Sequence, residues 1–272
     1  MQALMSTNSE NSNNWTTSDA YEAYMGRWSR RLAEKFLNWL DFKPSQTWLD
    51  VGCGTGALVL AISNFAEPSF VVACDPSESF IKHAKSRITD PKAKFIVAGT
   101  GNLPNNPGGF DCVVSGLVLN FLPDLSKSME EMRDRTRLSG TVAAYVWDYA
   151  DRMEYLRIFW DEVVAMDPSA RELDEGIRFP VCKQRELESI FRAAGLRDVK
   201  SSSIEIPTHF ETFSEYWQPF LGETGPAPLY VASLDVERRT ELQNRLKNRL
   251  AVGEKEAVTL VARAWAVRGN AR

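Results

Sequence analysis

The sequence predicts a doubly wound α/β fold, a mostly parallel seven-stranded sheet covered by helices, with a helical cap drawn from the N-terminal segment and from late insertions. Three observations predict it. Short apolar runs alternate with segments of helical spacing from residue 47 onward. The runs are apolar throughout rather than at every second position, the pattern of strands buried on both faces. The first run closes on a glycine-rich turn that opens a helix, and a second apolar run follows, which makes a βαβ beginning. At 272 residues, 44% hydrophobic and 25% charged, the chain has material for a sizeable core, and one domain with elaborations suits that length.

Residues 1–17 are polar and rich in Ser and Asn, lack the basic and apolar regions of a secretory signal, and read as a loose tail. Residues 21–40 read as a helix with Leu32, Phe36, Leu37, Trp39 and Leu40 gathered on one side, ended by 41–44. A strand at 47–51 runs into Gly52-Cys53-Gly54-Thr55-Gly56, and helical spacing resumes over 57–65. A second strand, 70–74, closes on Asp75, and a helix over 77–88 starts from Ser77 as its cap. Strands follow at 94–98, 110–115 and 140–147, with a Pro/Gly/Asn-rich loop at 103–109 and a helix at 125–138 between them. Residues 148–181 break the rhythm as an insertion that holds a helix at 153–166. A helix at 184–194 stops at Gly195 in the left-handed conformation, and a strand at 199–207 comes next. A helical excursion over 212–252, broken at 222–228, precedes a last strand at 257–267. The expected organisation is a flexible tail at 1–17 and a single domain over 18–272, with cap elements at 18–30, 148–181 and 210–252.

Charge and cysteine usage exclude several function classes. With 32 Lys and Arg against 36 Asp and Glu, the net charge is -4, so no global positive field draws a phosphate backbone and a nucleic-acid partner is not expected. No run reaches the ~18 apolar residues of a membrane span. Cys53, Cys74, Cys112 and Cys182 are far apart, form no CxxC and mostly lie in apolar runs. They read as buried free thiols of a cytoplasmic protein rather than a disulfide framework or a metal site.

The turn at 52–56 is where chemistry enters. Its glycines let the backbone turn tightly, approach a ligand and present amide donors at a helix start. In open α/β sheets, such a turn at the carboxyl end of the first strand binds nucleotides. The spacing alone also satisfies the dinucleotide fingerprint GxGxxA, with Ala57 in the last place. Asp50 separates the alternatives: a carboxylate at the mouth of the turn repels a pyrophosphate and attracts the amino group of a methionine moiety. That favours the sulfonium cofactor S-adenosyl-L-methionine over NAD(P). Asp75, ending the second strand, stands where an acid accepts from both ribose hydroxyls, a role common to either cofactor.

Leu49-Asp50-Val51-Gly52-Cys53-Gly54-Thr55-Gly56 resembles motif I of the class I S-adenosylmethionine-dependent methyltransferases, enzymes of Rossmann-like fold, and within them the ubiquinone/menaquinone C-methyltransferase-like (methyltransferase type 11/25) group. Phe110-Asp111-Cys112-Val113-Val114-Ser115 with Leu119-Asn120-Phe121-Leu122-Pro123-Asp124 is similar to that group's fourth-strand motif, and Tyr24-Met25-Gly26-Arg27-Trp28-Ser29 resembles an N-terminal segment of its members. The resemblance covers residues 20–148 well and 196–207 and 257–267 in outline. It implies that Asp50, Gly52, Cys53, Gly54 and Gly56 surround the methionine end of the cofactor and that Asp75 and Pro76 hold the ribose. It further implies that Thr100, Gly101, Asn102 and Leu103 lie around the adenine and that Ser115 and Leu117 line the sulfonium pocket; the product is S-adenosyl-L-homocysteine. Two departures stand out. Gly99 and Thr100 occupy the place of an acid that receives the adenine amino group, and Asn120 stands where His is frequent.

Other residues carry paired readings. Arg27 either meets the cofactor carboxylate or faces solvent. Tyr24 and Trp28 either shield the cofactor or substrate by stacking and cation–π attraction or pack the first helix. Cys53 is either an activated thiol at a helix start or a small filler, the latter the better reading. Of two histidines, His83 belongs to a helix face, while His209, together with Asn120 and Tyr24, is a candidate catalytic group. The basic run Arg238, Arg239, Arg245, Lys247 and Arg249 interleaves with Glu237 and Glu241 and reads as a solvated helix face. The Ser115-Gly116-Leu117-Val118 sequence lacks the Asn-Pro-Pro-Tyr pattern of amino-group methylation on adenine or glutamine.

The expected reaction is in-line transfer of a methyl group to a small, partly apolar acceptor, driven by positioning, which can supply ~7–11 kcal/mol. A base is needed only where the acceptor must lose a proton. An NAD(P)-dependent oxidoreductase and a non-catalytic S-adenosylmethionine-binding protein are the alternatives.

Overall fold

The computed structural model of the chain describes residues 25–222, 225–253 and 256–272. The tail expected at 1–17, the first part of the expected cap at 18–24 and the candidate Tyr24 lie outside the described residues. Seven strands make one sheet: β1 (Thr47–Val51), β2 (Phe70–Asp75), β3 (Ala93–Val97), β4 (Phe110–Gly116), β5 (Thr136–Trp147), β6 (Arg197–Phe210) and β7 (Val258–Asn270), in the order β3-β2-β1-β4-β5-β7-β6. The pairs β1·β2, β1·β4, β2·β3 and β4·β5 are parallel, and β7 runs antiparallel to β5. Strand order reverses between β1 and β4, so the carboxyl ends of these two neighbours form the switch point at which open α/β sheets take their ligands.

Contacts divide the chain into two compact units. The larger comprises 25–147, 181–204 and 264–272; the smaller takes in 148–180 and 205–263. In the larger unit, helices α1 (Arg27–Trp39), α2 (Ala57–Phe65), α3 (Glu78–Arg87), α4 (Leu125–Asp134) and α7 (Gln184–Ala193) accompany the strands. α1 packs on α2, and Leu32, Phe36 and Leu37 are buried, one amphipathic stripe as the sequence predicts. Phe36 meets Tyr145 of β5 with ring centroids 4.6 Å apart. Ser77 caps α3 by accepting from Phe80 N–H at 3.4 Å, and Asp124 caps α4 by accepting from Lys127 N–H at 3.1 Å.

The expected helix at 125–138 ends at Asp134 instead, and β5 begins at Thr136. Sheet pairing overrides helical spacing here. Phe110 N–H donates to Arg135 C=O at 2.8 Å, Phe110 pairs with Thr136, and the register then shifts by a bulge that holds Ser139 at φ 58. The last two strands are likewise longer than their apolar cores suggest.

The smaller unit has its own core. α5 (Glu154–Met166) brings Tyr155 and Phe159 onto Phe220, with ring centroids 4.6 and 4.4 Å away, and Phe210 and Tyr216 complete the cluster. Arg157 grips Asp174 through two hydrogen bonds of 3.0 and 2.7 Å, which caps the short α6 (Glu175–Arg178). Trp160 Nε1–H donates to the buried carboxylate of Glu175. The expected excursion at 212–252 resolves into α8 (Phe213–Trp217), α9 (Pro226–Ser233) and α10 (Val236–Leu250).

Candidate functional site

The site grows out of the carboxyl end of β1. Gly52 and Cys53 N–H both donate to Cys74 C=O, at 2.8 and 2.9 Å, which folds the turn back onto β2. Gly52 (φ 73) and Gly56 (φ 90) cannot be replaced without collision, because an added Cβ stands 2.6 Å from Val118 in the first case and 2.6 Å from Ile88 in the second. Gly54 (φ 52) is different: among the described residues, nothing lies within 4 Å of its would-be Cβ. One glycine is open to a visitor, and its two neighbours shape the turn that presents it. α2 starts at Ala57 directly behind, so its first amides face the same end of the sheet.

Asp50 lies under this turn rather than at its mouth, 1% exposed, and neither of its carboxylate oxygens has a hydrogen-bond partner among the described residues. Burial, and after it the charge of Asp75, pushes its pKa up to about 8. An isolated buried carboxylate is costly unless a cation or donor arrives, so a positively charged group beside Asp50 would stabilise its ionised form. Asp75 ends β2 with each oxygen engaged, one by Gly54 N–H at 3.0 Å and one by Ser77 N–H at 2.8 Å. Its pKa is raised by burial, against the pull of those two amides. Cys53 is 7% exposed, and burial, with the charges of Asp50 and Asp75 added, drives its thiol well above the ordinary range. It is a filler of the turn, and the activated-thiol reading falls.

Around the switch point, Ser115 Oγ donates to Val51 C=O at 2.9 Å, tying β4 to the base of the turn. Leu117 takes a positive φ of 63 and donates its N–H to Tyr145 C=O at 2.8 Å, while Gly116 leaves room for the Tyr145 hydroxyl, 2.5 Å from a would-be Cβ. Asn120 sits in the single helical turn 119–121 that follows, its Nδ2 shielded and without a partner among the described residues. Pro76 packs under Gly99, and residues 99–103 leave β3 beside it. Trp28 is 2% exposed on α1 with the Arg27 guanidinium 5.1 Å from its ring centroid, which favours the packing reading of Trp28. His209 belongs to the smaller unit, where its Nδ1 pairs with Thr259 Oγ1 at 2.9 Å and its side chain is 45% exposed.

Two residues of the larger unit escaped sequence reasoning. Glu131 of α4 accepts from Gly101 N–H at 2.6 Å and from Leu103 N–H at 2.8 Å; Arg135, one turn on, donates to Leu103 C=O at 3.0 Å. Their i,i+4 spacing was a visible signal, but on a helix face such a pair reads as a solvated ion pair. A ligand with an ammonium for Asp50, a flat approach over Gly54 and ribose hydroxyls for Asp75 fits this set. Among the described residues, no group of His, Cys, Asp and Glu is placed to hold a metal ion, and no helix is long and apolar enough to cross a membrane.

Residues 49–144 match the model of a methyltransferase domain family. Curated relatives agree. A demethylmenaquinone methyltransferase of Desulfitobacterium hafniense (strain Y51) is 24% identical over 63% of this chain and 74% of its own. A malonyl-[acyl-carrier protein] O-methyltransferase of Geobacter sulfurreducens is 32% identical over 42% of this chain and 43% of its own. Among solved structures, Haemonchus contortus phosphoethanolamine N-methyltransferase 2 in complex with S-adenosyl-L-methionine shares the fold at a TM-score of 0.56 and 14% identity, over 94% of this chain and 57% of that one. Nothing among these matches supports the nicotinamide alternative. Where the sequence left two cofactors open, fold, turn and relatives agree on one: residues 49–144 match a methyltransferase domain, and the chain is an S-adenosylmethionine-dependent methyltransferase.

Proposed function

We propose that this enzyme methylates a small, partly apolar acceptor, with the cofactor seated on the turn at 52–56 and the reaction driven by positioning rather than by a catalytic constellation. The observation that carries the reading is Asp50, a buried carboxylate whose two oxygens lack partners among the described residues. When bound, S-adenosylmethionine supplies an already activated methyl group. The chain's part is to bind and orient. Asp50 takes the ammonium, the open face of Gly54 with Gly52, Cys53 and Gly56 behind it lies along the methionine end, and Asp75 beside Pro76 takes the ribose. Thr100, Gly101, Asn102 and Leu103 flank the base. Ser115 and Leu117 border the sulfur, and Arg27 meets the cofactor carboxylate from α1, with Trp28 packed behind it.

The shielded Nδ2 of Asn120 offers an N–H to an acceptor oxygen, which orients the acceptor without removing a proton; His209 and Tyr24 are the weaker candidates. The four cysteines are free and buried, which supports a cytoplasmic setting, and the net charge of -4 supports a partner other than nucleic acid.

Isothermal titration with S-adenosylmethionine, S-adenosylhomocysteine and NADH tests this. The expected outcome is binding of the first two, weakened roughly tenfold or more by Asp75→Ala, and no heat with NADH. Preference for NADH, or an Asp75→Ala protein that binds as well as the unmodified one, overturns the assignment. Methyl transfer from labelled cofactor into the low-molecular-weight fraction of a metabolite extract, rather than into protein or nucleic acid, tests the acceptor class.

A further inference from the structure

We propose that Glu131 is the positioning residue for the adenine end of the cofactor site: its carboxylate fixes the shape of residues 99–103 and thereby the surface that reads the base. The inference rests on the cofactor assignment above. Between Val97 and Leu103 the sequence holds no acid, Val97-Ala98-Gly99-Thr100-Gly101-Asn102-Leu103, so this segment has no carboxylate of its own to receive an amino group.

The segment nevertheless starts at the nucleoside. Val97 pairs with Asp75, Ala98 N–H donates to Asp75 C=O at 3.1 Å, and Gly99 rests on Pro76 at 3.6 Å from a would-be Cβ. A base attached to a ribose at Asp75 therefore lies within reach of these residues. Among the described residues, Gly101, at φ 93, has nothing within 4 Å of its would-be Cβ, so the segment presents an open face there.

Two glycines in five residues make such a segment loose on its own. Glu131 removes that freedom. One oxygen accepts from Gly101 N–H and the other from Leu103 N–H, while Arg135 donates to Leu103 C=O and pairs with Glu131 at 3.4 Å. Both carboxylate oxygens are engaged by backbone, so Glu131 acts through the loop rather than on the base. The carboxylate at this end of the site stands on α4 rather than in the loop, and it holds backbone rather than base. Ordering the loop in advance leaves less conformational entropy to lose on binding, which is how preorganisation raises affinity.

Glu131→Gln tests this, since the amide keeps the shape but faces one of the two N–H donors with another donor. Three measurements are read together: thermal stability, amide exchange at Gly101 and Leu103, and titration with S-adenosylhomocysteine and its hypoxanthine analogue S-inosylhomocysteine. The expected result is an unchanged melting temperature, faster exchange at those two amides, and roughly tenfold weaker binding of the adenine ligand, with most of the preference over hypoxanthine lost. A variant that keeps both the affinity and the preference overturns the proposal. So does an equal loss for the two nucleosides with a lowered melting temperature, which marks a merely structural role. If Glu131→Gln does not fold, Glu131→Asp serves instead: one methylene shorter, it reaches one amide at most and predicts the same changes at smaller size. An unmodified protein that binds neither ligand overturns the cofactor assignment along with this inference, whereas binding by the unmodified protein isolates the role of Glu131.

Discussion

The turn at 52–56 and the loop at 99–103 leave the carboxyl ends of β1 and β3, on either side of β2, and are held by opposite means. The turn is held from within and by its neighbouring strand: backbone donors reach Cys74 and Asp75, and side chains at 52 and 56 are excluded by Val118 and Ile88. The loop is held from outside, by a carboxylate and a guanidinium on α4, and tolerates volume at Gly101. One element is sensitive to shape and the other to charge. A ligand that spans them meets a rigid wall at one end and a braced segment at the other.

The largest expected effect tests the shape side. Gly52→Ala combines a positive φ with a collision at 2.6 Å and is expected to lose ~2–4 kcal/mol of stability in urea unfolding. Gly101→Ala carries the strain without the collision and is expected to lose ~1–2 kcal/mol. Equal losses would break the contrast between the two elements.

Asp50→Asn comes next and trades binding for stability. Unfolded, the carboxyl titrates near ~3.9; folded, it titrates at about 8 because it is buried, with the Asp75 charge adding to that. A raised acid is neutral in both states below the lower value, so its stability is full there and is lost as pH rises towards 8. The variant removes that slope. Its gain in stability, read by urea unfolding, is expected to be largest at pH 8 and above and to vanish near pH 4. Its affinity for S-adenosylmethionine is expected to fall roughly tenfold or more. A variant less stable than the unmodified protein at pH 8 contradicts the view of Asp50 as an uncompensated charge.

The smallest stability effect belongs to Gly54→Ala. Its φ of 52 is tolerated by an L-residue at ~1 kcal/mol, and the new methyl meets no protein atom. Cofactor affinity is nevertheless expected to drop, because the methyl occupies the approach. Unchanged affinity would move the ligand away from this glycine.

Much of this was legible in order along the chain, for identifiable reasons. Strands buried on both faces write themselves as continuous apolar runs, so β1, β2 and β4 could be placed nearly to the residue. Asp50 and Asp75 were legible because strand ends fix where such acids stand. Glu131 was not, since it meets Gly101 and Leu103 from 30 and 28 positions away, and an acid on an amphipathic helix carries no mark of its partner. The start of β5 was misread for a related reason. Thr136, Arg137 and Leu138 continue a helical spacing, and only pairing with β4 turns them into strand.

Asp50 also bears on how the enzyme turns over. The ammonium it is proposed to hold is common to S-adenosylmethionine and S-adenosylhomocysteine, so in that role this carboxylate would grip donor and product alike. Such uniform binding lowers KM without raising kcat, and it makes product inhibition the default behaviour. Discrimination must then come from groups that sense the missing methyl and the neutralised sulfur, in the neighbourhood of Ser115 and Leu117. An enzyme built this way runs at the pace at which its surroundings clear the demethylated cofactor.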